Sequence, residues 1–282
     1  MRTISSTDII TPIKTLILES SFNLDKKTVE ALESAQKNES SESGLFVLEE
    51  IMENKDISAD EKMPLCQDTG VSIFFVKWGQ ECILEGDLSL QQVLDEAVRQ
   101  SYTEGYLRKS ILHDPIFDRS NTGDNTPSII HLEMVQGDQV EISFLAKGAG
   151  ADNCSQVTML KPSDGIEGIK AFILQVCTEA GASSCPPWIL GVGIGATFDS
   201  VAGLAKHAIL RDVGSVHQKE NYKNLEKELL IAVNQLGIGP QGLGGQTTAL
   251  ALHIESRPCH AASLPVAVNI QCHSNRKGII KI

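Results

Sequence analysis

Apolar and polar positions follow two different periods along the chain, which predicts interspersed helices and strands. Apolar residues that recur every three or four positions are typical of one buried face of a helix. The segments with this spacing are 5–22, 26–37, 41–52, 88–107, 163–181, 199–210 and 218–236. Short runs rich in β-branched and aromatic residues predict buried strands. These runs are 71–77, 128–135, 140–146, 189–195, 247–255 and 264–270.

This order of elements predicts an α/β fold class, with mixed β-sheets, flanking helices and a helical N-terminal segment at about residues 1–62. We expect residues 1–282 to form a single domain. Residues 136–139, Gln-Gly-Asp-Gln, are predicted to form a hairpin turn that joins the strands on either side of them.

Composition and charge exclude several classes of protein. A chain of 282 residues with 41% hydrophobic content can bury a sizeable core. A formal charge of −12 argues against nucleic acid or an anionic membrane as partner. The N-terminus lacks the pattern of a secretory signal, and no apolar run is long enough to span a bilayer. The seven cysteines form no C-x-x-C pair, which argues against a disulfide framework or zinc ribbon and favours a cytoplasmic protein.

Candidate chemistry is densest at residues 66–70, Cys-Gln-Asp-Thr-Gly, immediately before the predicted strand 71–77. Reactive loops are commonly positioned by a rigid element in this way, although a capped turn before a strand explains the same residues. Cys185 and Cys272 stand in similar loops at the ends of apolar segments. Spacing alone does not separate them from Cys154 and Cys259.

Other patterns leave alternatives open. Cys82 and Cys177 are flanked by apolar residues and are predicted to be buried small hydrophobes. Cys66, His260 and Asp68 contain the groups of a thiol nucleophile set, but a lone histidine is more often structural. Small residues at 147–150 permit close backbone approach to a ligand or form a flexible loop. The glycines at 191–195 do not match a dinucleotide fingerprint and indicate tight packing.

Six motifs occur in the order found in class I fumarases. They are Cys-Gln-Asp-Thr-Gly at 66–70, Asn-Thr-Gly at 121–123, Lys-Gly-Ala-Gly at 147–150, Cys-Pro-Pro at 185–187, Gly-Ile-Gly-Pro-Gln-Gly at 237–242 and Cys272. From about residue 10 onward, the chain resembles the α subunit of two-subunit iron–sulfur hydro-lyases that act on fumarate or tartrate.

This resemblance implies a [4Fe–4S] cluster held by Cys66, Cys185 and Cys272. Three thiolates on four irons leave one iron without a protein ligand, which suits a Lewis acid acting on a small dicarboxylate. An electron-transfer cluster normally has a fourth cysteine.

The resemblance also implies roles for individual residues. Asp68 holds or protonates the departing hydroxyl, and Gln67 hydrogen-bonds the substrate. His260 and Arg108 each contact a substrate carboxylate. Gly148, Ala149 and Gly150 form a backbone loop at the substrate, although Ala149 stands where single-chain relatives have glycine.

The implied assembly includes a separate β subunit that supplies the proton-abstracting residue, so that a heterotetramer is expected. Fumarate hydration to malate is the main expectation, favoured by residues 258–262 and 269–272. Dehydration of tartrate to oxaloacetate is the near alternative. From other classes, an iron–sulfur redox-sensing module without catalysis and a cluster-free thiol hydrolase also fit parts of the sequence.

Overall fold

The chain has the predicted mixture of helices and strands, in a computed structural model that describes residues 1–282. The helices are α1 (Ser6–Phe22), α2 (Lys26–Asn38), α3 (Glu42–Glu61), α4 (Leu90–Glu104), α5 (Ala149–Asn153), α6 (Gly165–Ala180), α7 (Val201–Ala208) and α8 (Glu220–Asn234). The strands are β1 (Arg2–Ser5), β2 (Val71–Gly79), β3 (Cys82–Glu85), β4 (Ile129–Val135), β5 (Val140–Lys147), β6 (Gln156–Leu160), β7 (Trp188–Ala196), β8 (Ala249–Cys259), β9 (Leu264–Gln271) and β10 (Lys277–Lys281). The α/β class with mixed sheets and a helical N-terminal segment is confirmed.

The chain divides into two compact units. The first unit contains residues 1–25, 54–149 and 276–282, and the second contains residues 26–53 and 150–275. The expectation of a single domain over residues 1–282 stays a prediction. No helix in the structure has the length and hydropathy needed to cross a lipid bilayer.

The first unit is built on a four-stranded sheet with strand order β10-β5-β2-β4. One face of this sheet packs on α1 and α4, and the buried core includes Ile13, Val98 and Phe144. Both helices begin with a capping box, in which Ser5 and Ser89 accept the first-turn N–H groups. Amphipathic helices of this kind obtain most of their stability from the apolar face that they bury.

The predicted hairpin between β4 and β5 is wrong, because β2 lies between them. Strand β2 pairs antiparallel with β5 and parallel with β4. The connection at residues 136–139 instead crosses the end of β2, where Gly79 N–H donates to Gln139 O at 3.0 Å and Glu81 N–H donates to Gly137 O at 3.1 Å. Local turn residues identify a reversal of the chain, but they do not identify the strand that fills the space between its two arms.

The second unit contains the other four-stranded sheet, with strand order β6-β9-β7-β8. Strand β7 lies against α7 through its glycines. A Cβ atom at Gly191 would lie 2.0 Å from Ala205 O, and one at Gly193 would lie 2.4 Å from Val201 O. The prediction that these glycines permit tight packing is therefore confirmed.

Replacing Gly79 by alanine is predicted to destabilise the first unit. The added Cβ would lie 2.4 Å from Gly137 O and 2.8 Å from Gln139 O, both backbone atoms that cannot rotate away. We expect a loss of about 1–3 kcal/mol in the free energy of unfolding, measured by urea denaturation. Gln80→Ala, at the exposed neighbouring position, is the control and should change stability little. An unchanged denaturation midpoint for Gly79→Ala would contradict the crossing described above.

Candidate functional site

The loop at residues 66–70 joins α3 to β2 in the first unit. Cys66 and Asp68 are half-buried and Gln67 is exposed, whereas Thr69 and Gly70 are buried. The loop therefore presents a thiol, an amide and a carboxylate at the start of a rigid central strand, as the sequence predicted.

Two buried side chains hold the end of this loop through its carbonyl groups. The Tyr102 hydroxyl donates to Thr69 O at 3.1 Å and to Gly70 O at 2.9 Å. Asn125 Nδ2 also donates to Gly70 O, at 3.1 Å, while its Oδ1 accepts from Ser110 N–H at 2.8 Å. Burial raises the pKa of Tyr102, so the phenol remains a protonated donor. The loop is therefore fixed by groups within the fold.

The Asp68 carboxylate is oriented by the backbone of the loop after β5. Its Oδ2 accepts from Ala149 N–H at 2.8 Å. A Cβ at Gly148 would lie 3.0 Å from Asp68 Oδ2, and a Cβ at Gly70, where φ is +79°, would lie 2.6 Å from Lys147 C. Two glycines thus allow the two loops to approach each other, and the structure brings Asp68, Gly148 and Ala149 together.

Arg108 lies beside the same loop. Thr69 Oγ1 donates to Arg108 O at 2.6 Å, which fixes the Arg108 backbone while its side chain is exposed. The structure therefore places Arg108 in the neighbourhood of residues 66–70. Its proposed contact with a substrate carboxylate stays a prediction.

Arg276 is a residue of this unit that sequence reasoning missed. Its side chain is only 1% exposed, and its Nε and Nη1 atoms have no hydrogen-bond partner within the protein. Its Nη2 lies within 3.8 Å of the position that a Gly148 Cβ would take. A buried charge with unused donors is costly unless an anion accompanies it. The one signal in the sequence was a basic residue four positions after Cys272.

In the second unit, the loops of Cys185 and Cys272 lie together. Cys185 has a left-handed backbone, with φ of 52°, and its side chain is exposed. His273 N–H donates to Cys185 O at 3.4 Å, and His273 Nδ1 lies 3.2 Å from the same oxygen. A non-glycine residue in this backbone conformation is strained, and such residues cluster at functional sites.

Gln241 connects these two cysteine loops, a role that was not anticipated. Its backbone N–H donates to Pro186 O at 2.8 Å, and its side-chain nitrogen lies 3.1 Å from His273 Nδ1. Glu39, in the connector between α2 and α3, accepts from Gln246 N–H at 2.8 Å. The glycine-rich segment at 237–245 therefore supports the Cys185 and Cys272 loops.

His260 lies in the exposed connection between β8 and β9. Its Nδ1 accepts from Ala262 N–H at 3.1 Å. His260 belongs to the second unit and Cys66 and Asp68 to the first, so neither unit by itself assembles the thiol nucleophile set. Gly150 also belongs to the second unit, where a Cβ would lie 3.4 Å from Ser183 O.

None of the seven cysteines forms a disulfide. The structure contains no group of three or more His, Cys, Asp or Glu side chains arranged around one metal position. Cys66 belongs to the first unit and Cys185 and Cys272 to the second, and their convergence on one cluster stays a prediction. In the second unit, the buried Ser184 hydroxyl, next to Cys185, has no hydrogen-bond partner within the protein.

Comparison with known proteins connects this arrangement to a family. Residues 10–281 match the family model described as fumarate hydratase (Fumerase). The chain is 43% identical to the "Putative L(+)-tartrate dehydratase subunit alpha" of Methanocaldococcus jannaschii, over 95% of both chains. It is 34% identical to the L(+)-tartrate dehydratase subunit alpha of Escherichia coli K12, over 93% of this chain and 86% of that one. The subunit of the same name from Shigella sonnei gives the same values.

Replacing Tyr102 by phenylalanine is predicted to loosen the loop at residues 66–70. The change removes the one hydroxyl that donates to two buried carbonyls, for an expected loss of about 1–3 kcal/mol in the free energy of unfolding. Alkylation of Cys66 by iodoacetamide, followed by mass spectrometry, should become faster at the same time. Tyr106→Phe is the matched control, because that side chain is 91% exposed. Equal alkylation rates in both variants would show that Tyr102 does not hold the loop.

The cysteines are predicted to differ in thiol reactivity within the native chain. Burial raises the pKa of Cys177 to about 12, so it stays a protonated thiol and should resist iodoacetamide. The exposed Cys185 and Cys259 should be modified readily in metal-free protein. Quantitative mass spectrometry of alkylated peptides measures this order. Modification of Cys177 at the rate of Cys259 in native protein would refute the buried position.

Proposed function

Because the chain belongs to the fumarate hydratase (Fumerase) family, and is therefore a hydro-lyase, we propose that it takes part in the dehydration of L(+)-tartrate to oxaloacetate. The observation that carries this proposal is the near full-length similarity to subunits named for tartrate dehydration. These names favour tartrate over the fumarate hydration that the sequence motifs suggested.

The residues of the first unit have the chemistry needed to bind and orient a hydroxy dicarboxylate. Asp68 is held at Oδ2 by Ala149 N–H, and we assign its other oxygen to the departing hydroxyl group. Gln67 is exposed beside it and provides an amide for the substrate. Arg108 is exposed near the same loop, and we assign its guanidinium to one substrate carboxylate. We assign His260 to the other carboxylate.

We further propose that Cys66, Cys185 and Cys272 hold a [4Fe–4S] cluster. When bound, such a cluster supplies a Lewis acid at the iron that lacks a protein ligand. The chemistry of the donor set fits this group, since thiolates suit iron–sulfur clusters. The buried, unpaired hydroxyl of Ser184, next to Cys185, supports it further, because an anionic group would satisfy this donor. Seven thiols without a disulfide also support a reducing, cytoplasmic location.

The proposed enzyme includes a partner β subunit that supplies the proton-abstracting base, in a heterotetramer. The support is that the three relatives above are all named as α subunits and that this chain covers most of their length. Membership of an enzyme family argues against the redox-sensing module and the thiol hydrolase. Fumarate hydration is kept as a second candidate, because the matching family model is described as fumarate hydratase.

Cys185→Ser is predicted to remove most of the iron and sulfide from anaerobically purified protein. With the partner subunit present, turnover of tartrate should fall more than about a hundredfold, because an iron ligand is lost. Cys259→Ser is the matched control, since Cys259 is also an exposed cysteine but lies outside the proposed ligand set. Retention of full iron and sulfide by Cys185→Ser would exclude the proposed ligation.

Substrate choice is tested by anaerobic assay of the reconstituted complex with tartrate and with fumarate. We expect a higher kcat/KM for tartrate and no turnover by this chain without the partner. A higher kcat/KM for fumarate would reverse the substrate assignment. Full turnover by this chain alone would refute the assignment of the base to the partner.

A further inference from the structure

Strand β4 is an edge strand whose outer side is open. It is the last strand of its sheet and pairs only with β2. Gln80 N–H donates to Val135 O at 2.8 Å, which shows that the backbone groups of Val135 face β2. Because backbone direction alternates along a strand, the groups that face the open edge belong to Ile130, Leu132 and Met134.

The residues whose backbone groups face the open edge of β4 are apolar. Leu132 is 54% exposed and Met134 is 60% exposed, and no lysine or proline lies within Ile129–Val135. The register with β2 runs without a shift over all seven residues. Natural proteins usually protect such edges with charges, prolines, bulges or covering loops. The β4 edge therefore has the properties of a pairing surface.

The sequence of β4 is complementary to itself in an antiparallel arrangement. If two copies pair about Leu132, Ile130 of each copy lies opposite Met134 of the other, and His131 lies opposite Glu133. Since the backbone groups of Leu132 face outward, the central pair is a hydrogen-bonded pair, as this register requires. Apolar side chains would meet on one face of the joined sheet, and an imidazole would meet a carboxylate on the other.

A neighbouring aromatic ring keeps His131 in place for this pairing. The His131 ring stacks on Phe75, with ring centroids 4.6 Å apart and an interplanar angle of 13°. Lys77 lies between Glu133 and Glu141 in the sheet, and its ion pair is with Glu141, at 2.9 Å. The face of β4 that carries His131 thus presents both partners of a symmetric pair, an imidazole and a carboxylate.

The edge strands β10 and β6 lack this pattern. Strand β10, at the opposite edge of the same sheet, carries Lys277 and Lys281 at its two ends. Strand β6 has five residues and no charged residue. The complementary pattern therefore distinguishes β4 from both.

We propose that two copies of this chain associate through antiparallel pairing of their β4 edges about a twofold axis at Leu132. The partner is a second copy of the same chain, because the register is satisfied by identical strands. The sheet that contains β4 in one copy then continues into the same sheet of the other copy across the axis. This inference is independent of the proposed substrate.

Sedimentation equilibrium of the full chain tests the pairing. We expect the wild-type mass to be twice the 30.5 kDa of one chain. Leu132→Lys, which places two lysines face to face at the axis, should return the mass to that of the monomer. Ile279→Lys on β10 is the matched control, because Ile279 is 55% exposed, and the dimer should persist. Thermal denaturation confirms that each variant is folded.

A charge exchange tests the register itself. Glu133→Lys should weaken the dimer at least about tenfold in Kd, since it places a lysine opposite His131. The double variant His131→Glu with Glu133→Lys should recover most of that loss. A monomeric wild-type chain, or a dimer that survives Leu132→Lys, would overturn the proposal. So would a Leu132→Lys variant that keeps its dimer and instead loses binding of the partner subunit.

Discussion

The hydrogen bonds from buried Tyr102 and Asn125 to the carbonyls of Thr69 and Gly70 are the constraint on which the candidate site depends. Unpaired carbonyls in a dry interior are costly, so these donors make one loop conformation strongly preferred. Because the loop leads directly into the central strand of a packed sheet, the packing of the core fixes the position of the loop. The thiol of Cys66 and the carboxylate of Asp68 are therefore presented by a rigid element, as a site that orients a substrate requires.

The cysteine loops of the second unit are held differently, through hydrogen bonds of backbone carbonyls and amides that connect the loops. Gln241 joins Pro186 to His273, and Glu39 holds the glycine-rich segment that carries Gln241. Both units thus use polar side chains remote in sequence to fix loops that have little apolar surface of their own. The chain has a net charge of −12, which disfavours the binding of an anion. The unused donors of the buried Arg276 provide a local positive group that suits one.

Much of the fold followed from the periodicity of apolar residues. The elements that the sequence did not predict correctly share a physical cause. The long helices and the central strands have strong apolar patterns, since each buries one face or both. The strands β1, β3, β6 and β10 have only four or five residues each and are defined by distant partners. The failed hairpin between β4 and β5 has the same origin, because β2 pairs with both strands.

By itself, the sequence determined the α/β class, the burial of Cys82 and Cys177, and the family, since apolar spacing and ordered motifs are local properties of the chain. Only the tertiary structure decided which groups hold the 66–70 loop, where Arg276 is buried and which strand has an open edge. Those facts depend on contacts between residues far apart in the chain, such as Tyr102 with Thr69 and Ala149 with Asp68. Such pairs produce no recognisable pattern in the sequence, because the separation of two residues along the chain does not measure their distance in the folded protein.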